Sequence, residues 1–492
     1  MNPLQKFKSA LAANCGSFAW LMVSCGLTFT AAAAQTNQAP AMFPAGQVID
    51  SVQCLADSTQ SYALYLPSNY TPAKTWPILY AFDPSANGKA PVKLYKDIAE
   101  KYGYIIAASN NSRNFQAVAA SRGPQSVWED THARLALDPR RIYMMGFSGG
   151  ARVATTLAIR CEPCAVAGVI SHGAGYSGSF PASEKDRFAY FAFVGDQDFN
   201  WPEVIELGRK KEEWGASYRL RVFPGEHQWA PPAIFEEAIA WMQLKAMQVG
   251  SAVADASFIN GLFARAQKEA EDAAQRKDAL DEFEAYRSLV SDFSGLKEVS
   301  QYQEKLTIVK NSAEMKQALK KEQEAVAQQR LLTQEISAQL SHAADADPDT
   351  RISLQGNIVD GMTGLRSKAD YARNEETRLV LLRAFNALWV QGIEAGQSEL
   401  ENKHFLKADY YFELMSRVSP NEAWPVLLLA ESSAARGDKK RALKDLHEAV
   451  KRGLKNPDAI EKDANLETLR TEPEFQQILG ELKANRDSQT AR

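Results

Sequence analysis

With 492 residues, 45% of them hydrophobic and 24% charged, the chain exceeds one hydrophobic core and has the composition of ordinary globular domains. A formal net charge of −4 lacks the basic footprint that nucleic-acid binding requires, so no nucleic-acid partner is expected.

Lys6 and Lys8 precede a charge-free stretch from Ser9 to Ile49, with an apolar centre at Phe18-Ala19-Trp20-Leu21-Met22-Val23 and small residues at Ala31-Ala32-Ala33-Ala34. Basic, apolar and small in that order is the pattern of a secretory signal, so residues 1–34 are expected to leave by cleavage after Ala34. The mature protein is then periplasmic or secreted. A lipoprotein box at Met22-Val23-Ser24-Cys25 and an uncleaved anchor are the alternatives, the second a poor span because Ser, Thr and Gly interrupt it. No later run approaches about 18 apolar residues, so no membrane association is expected after cleavage.

From about residue 50 to 248, short apolar runs alternate with amphipathic segments. Strands are predicted at Ser61–Leu66, Pro77–Ala81, Tyr104–Ser109, Arg141–Met145, Ala167–Ser171, Phe188–Val194 and Tyr218–Phe223. Helices are predicted at Val92–Tyr102, Val127–Leu137, Gly149–Arg160 and Pro232–Met247. Strands alternating with helices predict an α/β domain over 45–248, its mainly parallel sheet covered on both faces and with little room for a large lid.

From about 251, strand signals stop and Ala, Glu, Gln, Lys and Leu recur at helical spacing. Long helices over Phe263–Leu280 and Leu306–Leu340 are predicted in a region 251–345, which the candidate linker Ala343-Ala344-Asp345-Ala346-Asp347-Pro348-Asp349 ends. Within 350–485, Ala408, Phe412 and Met415 recur 34 residues on as Ala442, Leu446 and Ala449. Arg436-Gly437-Asp438 supplies the turn between Val426, Leu429 and Ala430 on one helix and the second triplet on the next. The stretch 388–455 resembles tetratricopeptide repeats, which have this period. That resemblance implies a concave face for a protein partner; a helical hairpin with a chance match is the alternative.

Cys161-Glu162-Pro163-Cys164 has the spacing of a thioredoxin redox pair. It follows a predicted helix C-terminus, where the helix dipole raises a thiol pKa instead of lowering it. No second Cys pair or nearby His completes a zinc site, so no metal is expected. A structural disulfide, with Cys54 as a candidate partner, is preferred; three cysteines beyond the signal leave one thiol over.

Chemistry concentrates at Gly146-Phe147-Ser148-Gly149-Gly150, which follows the strand Arg141-Ile142-Tyr143-Met144-Met145 and opens a helix. Strand, sharp turn and helix are the context a nucleophile elbow requires, with Ser148 as nucleophile and the N–H of Gly149 aimed at the carbonyl oxygen of a bound ester. The base must come from His132, His172 or His227. His132 lies inside a predicted helix and His172 ends a strand, whereas His227 lies in Pro224-Gly225-Glu226-His227-Gln228-Trp229, after the last strand and before the last helix. The acid belongs between the two in chain order, where Gly195-Asp196-Gln197-Asp198 follows a strand. Asp198 is favoured over Asp196, which is better placed to cap the turn. Asn110-Asn111-Ser112-Arg113-Asn114 is a polar loop at another strand end, either a substrate contact or a plain turn.

Ser61-Tyr62-Ala63-Leu64-Tyr65-Leu66-Pro67-Ser68-Asn69-Tyr70, with Asp138-Pro139-Arg140-Arg141-Ile142-Tyr143 before the elbow, resembles secreted α/β-hydrolase esterases related to feruloyl esterases and polyhydroxybutyrate depolymerases. The resemblance covers about 50–248 and implies an α/β-hydrolase fold and ester hydrolysis with no metal or organic cofactor. It also places the triad acid at the third position after the glycine, which is Asp198. Many relatives carry His-Gly after the third strand, and the next N–H completes the oxyanion hole. Here the residues are Phe82-Asp83-Pro84-Ser85, and Pro84 has no N–H, so Asp83 or Ser85 must supply the donor; Asp83 is favoured. The expected partner is a small acyl or aryl ester. A serine peptidase on the same fold is one alternative, and a vestigial hydrolase domain within a repeat-based interaction protein is the other.

Overall fold

The computed structural model describes residues 43–114, 117–160 and 166–490. The expected signal segment 1–34 and the pair Cys161 and Cys164 lie outside the described residues, while Cys54 is a free, buried thiol. No helix among the described residues is long and apolar enough to cross a membrane.

The strands are β1 (Val48–Gln53), β2 (Ser61–Tyr65), β3 (Trp76–Phe82), β4 (Ile105–Ser109), β5 (Leu137–Phe147), β6 (Val166–His172), β7 (Ala189–Gly195) and β8 (Tyr218–Phe223). They form one sheet in the order β1-β2-β4-β3-β5-β6-β7-β8. β2 is antiparallel to both β1 and β4, and every pairing from β4 through β8 is parallel. β3 and β7 are buried along their whole length, as strands covered on both faces are. Ile78, Tyr80, Ile142 and Met144 pack into the layer on one face, and Leu79, Ala81, Tyr143 and Met145 into the layer on the other. Because β3 and β5 to β8 run parallel, their C-terminal ends all reach one edge of the sheet, and the site sits there.

The flanking helices are α1 (Lys89–Tyr102), α2 (Ala117–Arg134), α3 (Gly149–Arg160), α4 (Trp201–Glu213) and α5 (Pro232–Gln248). β1 and α4 were not expected from the sequence, and α2 begins at Ala117, not Val127. β1 buries only Val52 fully, so it carries almost no apolar signal. The start of α2 is masked in sequence by Gly123 and Pro124, both of which read as breakers yet sit inside the helix. The architecture is an α/β-hydrolase fold followed by a helical region.

That region comprises α6 (Ala256–Arg276), α7 (Ala279–Phe293), α8 (Ser300–Asn311), α9 (Ala313–Ala343), α10 (Pro348–Asp370), α11 (Glu375–Glu401), α12 (Phe405–Val418), α13 (Trp424–Ala435), α14 (Lys439–Lys451), α15 (Asp458–Glu461) and α16 (Pro473–Thr490). The helix expected over Leu306–Leu340 is two helices, because the Ser312 hydroxyl caps the N–H of Met315 and starts α9 afresh. Asp347 caps α10 in the same way, at the site of the expected linker. Gly437, at φ +88°, turns α13 into α14.

Packing does not stop at residue 248. Phe43–Arg492 form one compact unit. Leu244 and Met247 of α5 belong to a core otherwise built from α6 to α9 and the turns between them. The buried carboxylate of Asp292 on α7 accepts from Arg219 (2.7 Å) on β8 and from Trp241 (2.8 Å) on α5, and pairs with Lys245 (2.9 Å). Arg209 on α4 reaches Glu284 on α7 and Glu322 on α9, each at 2.9 Å. Three charged residues of the α/β part, and Trp241, thus take partners from the helices.

Candidate active site

Ser148 holds φ +52°, a conformation that costs a non-glycine residue energy and persists only where neighbours enforce it. The enforcement is visible. The Ser148 N–H donates to the carbonyl of His172 (2.8 Å), and the Ala151 N–H donates to the carbonyl of Ser148 (3.0 Å) as α3 begins. A Cβ on Gly146 would lie 2.1 Å from the Gly150 carbonyl oxygen, and one on Gly150 would lie 2.0 Å from that of Phe82. Both motif glycines are therefore dictated by backbone contact. The hydroxyl stands at the end of β5 with the N-terminus of α3 behind it, where free N–H groups favour negative charge.

His227 stands beyond β8, between the rings of Phe147 (4.5 Å between centroids) and Phe199 (4.4 Å). Its Nδ1 donates to Oδ2 of Asp198 at 2.9 Å. Asp198 is 1% exposed, and its Oδ1 accepts the N–H of Asn200 at 2.8 Å. Asp196 instead accepts the N–H of Gly225 at 3.1 Å, tying the acid turn to the histidine loop. Of the two aspartates, Asp198 is the one bonded to His227. Gly173, just after β6, escaped the sequence reading. It holds φ +64°, and a Cβ there would lie 2.7 Å from Asp198 Oδ2 and 2.9 Å from His227 Nδ1.

The other two histidines are occupied. His172 is fully buried among Phe193, Trp229 and Tyr95, and its Nδ1 accepts the N–H of Ala230 at 3.2 Å. Burial pushes its pKa down to about 3, so it stays neutral. His132 stacks on Trp128 and donates from Nδ1 to that residue's carbonyl at 2.8 Å.

On the opposite side of the elbow, Asp83 Oδ1 accepts the N–H of Ser85 (2.9 Å), and Oδ2 accepts the indole N–H of Trp229 (3.1 Å). Burial pushes this carboxyl above the usual range, opposed by those donors and by the N–H of Asn87. Since the Ser85 N–H is already taken, the N–H of Asp83 is the better placed of the two oxyanion candidates. In the polar loop, Asn110 and Asn111 bond to Ser61 and Thr59 as turn-formers. Asn114 differs: a Cβ on Gly149 would lie 1.8 Å from its Oδ1, so this carboxamide lies against the elbow.

The helices also reach this edge. On α11, Arg383 and Asn386 donate to the carbonyls of Asp196 and Gln197 in the acid turn. Glu394, three turns beyond Arg383 on the same face, lies within electrostatic reach of His227 and of Arg152 on α3. Burial raises its carboxyl above the ordinary range, and those two groups pull it back. A cavity of about 880 Å³ lies beyond the acid turn, lined among others by Asp196, Trp201, Arg209, Glu322 and Arg383, with neither Ser148 nor His227 on its wall. No group of three or more His, Cys, Asp and Glu among the described residues is placed to hold a metal ion.

No family model matches the sequence, and no curated protein does. Among solved structures, the chain is similar to an S-formylglutathione hydrolase from Staphylococcus aureus (13% identity, TM-score 0.32), with 40% of this chain and 97% of that one covered. It is also similar to a ferulic acid esterase (18%, TM-score 0.33, 40% and 96% covered) and to Thermogutta terrifontis esterase 2 phosphoramylated by tabun (15%, TM-score 0.34, 44% and 100% covered). At such identities the fold is read from the sheet order and the strand-end geometry described above.

Proposed function

We propose that the protein is an exported serine hydrolase that cleaves carboxylic esters through Ser148, His227 and Asp198. The observation that carries this reading is the 2.9 Å bond from His227 to buried Asp198, at the sheet edge where Ser148 holds its strained turn. His227 takes the hydroxyl proton as Ser148 Oγ attacks the ester carbonyl, while Asp198 holds the ring's orientation and stabilises the imidazolium. The N–H groups of Gly149 and Asp83 receive the developing oxyanion. The C–O bond to the alcohol breaks, the alcohol leaves with the proton from His227, and water then releases the acid from the acyl-enzyme by the same steps. Export through residues 1–34 belongs to the proposal, as does a tetratricopeptide-like character for the hairpins of α11 to α14. The test is hydrolysis of short p-nitrophenyl esters and of peptide anilides by the wild type, Ser148→Ala and His227→Ala. Ester turnover lost in both variants supports the proposal. Anilide cleavage without ester cleavage overturns it in favour of a peptidase.

A further inference from the structure

The turn from Asp196 to Asn200 carries the triad acid, and every carbonyl in it has a donor. Asp198 and Asn200 are satisfied locally, by the N–H groups of Trp201 and Val204. The other three look to the helical region. The carbonyl of Asp196 accepts from Arg383 Nη1 (2.8 Å), that of Gln197 from Asn386 Nδ2 (3.1 Å), and that of Phe199 from Gln329 Nε2 (2.9 Å). Arg383 Nε also donates to Gln329 Oε1 (3.1 Å), which couples α11 to α9 at this point.

Arg383 is 3% exposed and Gln329 4%. The guanidinium lies 4.1 Å over the ring of Trp201, the first residue of α4. No carboxylate pairs with it among the described residues; Asp196 and Glu376 act on it only through space, and burial lowers its pKa to about 10. A buried cation without a counter-ion is an expensive way to join two layers, for which apolar packing suffices. What the guanidinium provides is a planar fork aimed at fixed acceptors. The held carbonyls of Gln197 and Phe199 belong to the residues on either side of Asp198, that of Asp196 lies one residue before them, and the ring of Phe199 packs on His227.

We propose that Arg383, Gln329 and Asn386 are positioning residues, through which the helical region holds the turn 196–200 so that Asp198 orients His227. The helical region thereby completes the active centre. This rests on the triad reading above for its consequence in turnover, but not for the hydrogen bond itself. Gln329→Met is nearly isosteric and uncharged, so it frees the Phe199 carbonyl without altering local charge. Arg383→Met frees that of Asp196, and Arg383→Lys keeps the charge and can still reach one carbonyl.

The experiment uses the full chain and three readouts. These are kcat and KM on p-nitrophenyl acetate, Tm, and the low-field proton resonance of the His227 Nδ1–H at acidic pH, assigned by its loss in Asp198→Asn. Displacing a catalytic group from afar costs up to about 100-fold, so kcat should fall about 10- to 100-fold in Arg383→Met and several-fold in Gln329→Met, with KM within about two-fold. The resonance should broaden or move upfield in both, and Arg383→Lys should recover part of each change. Wild-type kcat and an unaltered resonance in folded Gln329→Met and Arg383→Met overturn the proposal, as does a fall in Tm with neither changed. A wild type that turns over no ester defeats the esterase reading, while the resonance still decides the proposal.

Discussion

Gly173→Ala attacks the site between its acid and its base. The new Cβ would stand 2.7 Å from Asp198 Oδ2 and 2.9 Å from His227 Nδ1, about 1 Å inside ordinary contact. The backbone cannot retreat, because the Gly173 N–H donates to Phe193 (2.8 Å) and its carbonyl accepts from Asn200 Nδ2 (2.8 Å). The φ of +64° adds about 1–2 kcal/mol of strain for any side chain. Two separate effects follow. Stability should fall by roughly that strain, a few degrees in Tm. Turnover should fall further, because the methyl separates the acid from the base. Complete loss of the acid's function costs about 10⁴ in a well-studied serine protease, and a displacement of about 1 Å costs about 10². We therefore expect kcat/KM on p-nitrophenyl acetate to drop by about 10² to 10⁴. Gly215→Ala is the control, with φ +62° and open space around its Cβ: similar strain, unchanged turnover. Wild-type turnover in folded Gly173→Ala would refute the reasoning.

Glu431 on α13 is buried, and burial together with nearby Asp463 raises its carboxyl well above the ordinary range. The folded state thus holds this proton more tightly than the unfolded chain, so stability is lost as pH rises above about 4.3 towards the folded value. Tm of the wild type should fall more between pH 5 and pH 8 than that of Glu431→Gln, and an equal fall in both would count against this. Cys54 is buried, and burial with the charge of Asp130 pushes its thiol up to about 11. Peptide mapping should find Cys54 unalkylated by iodoacetamide at pH 8 in the native protein and fully alkylated in denaturant; rapid native labelling would contradict the structure.

What the sequence displays is what local chemistry dictates. The elbow is legible because Gly146, Ser148 and Gly150 must stand in that order on a strand-to-helix turn. Asp198 and His227 are legible because parallel strands deliver their following loops to one edge. The helical caps at Ser312 and Asp347 could equally have been read, although neither was, the second being read only as part of a linker. Gly173 left a fainter trace, a glycine right after a strand, whose necessity appears only when Asp198 and His227 close around it. Gln329, Arg383, Asn386 and Glu394 left none: each is an ordinary polar residue of a long helix, and the groups it acts on lie more than a hundred residues earlier. The helices looked like a separate module for the same reason, since nothing local in the sequence joins Arg209, Arg219 and Lys245 to Glu284, Glu322 and Asp292.

The central claim, that Ser148 is an activated nucleophile, is tested most directly by reacting the full chain with a fluorophosphonate and mapping the adduct by mass spectrometry. One phosphonyl group on Ser148, absent from Ser148→Ala, is the predicted result. A folded wild-type protein that takes up no label, or takes it up on another residue, would contradict the account.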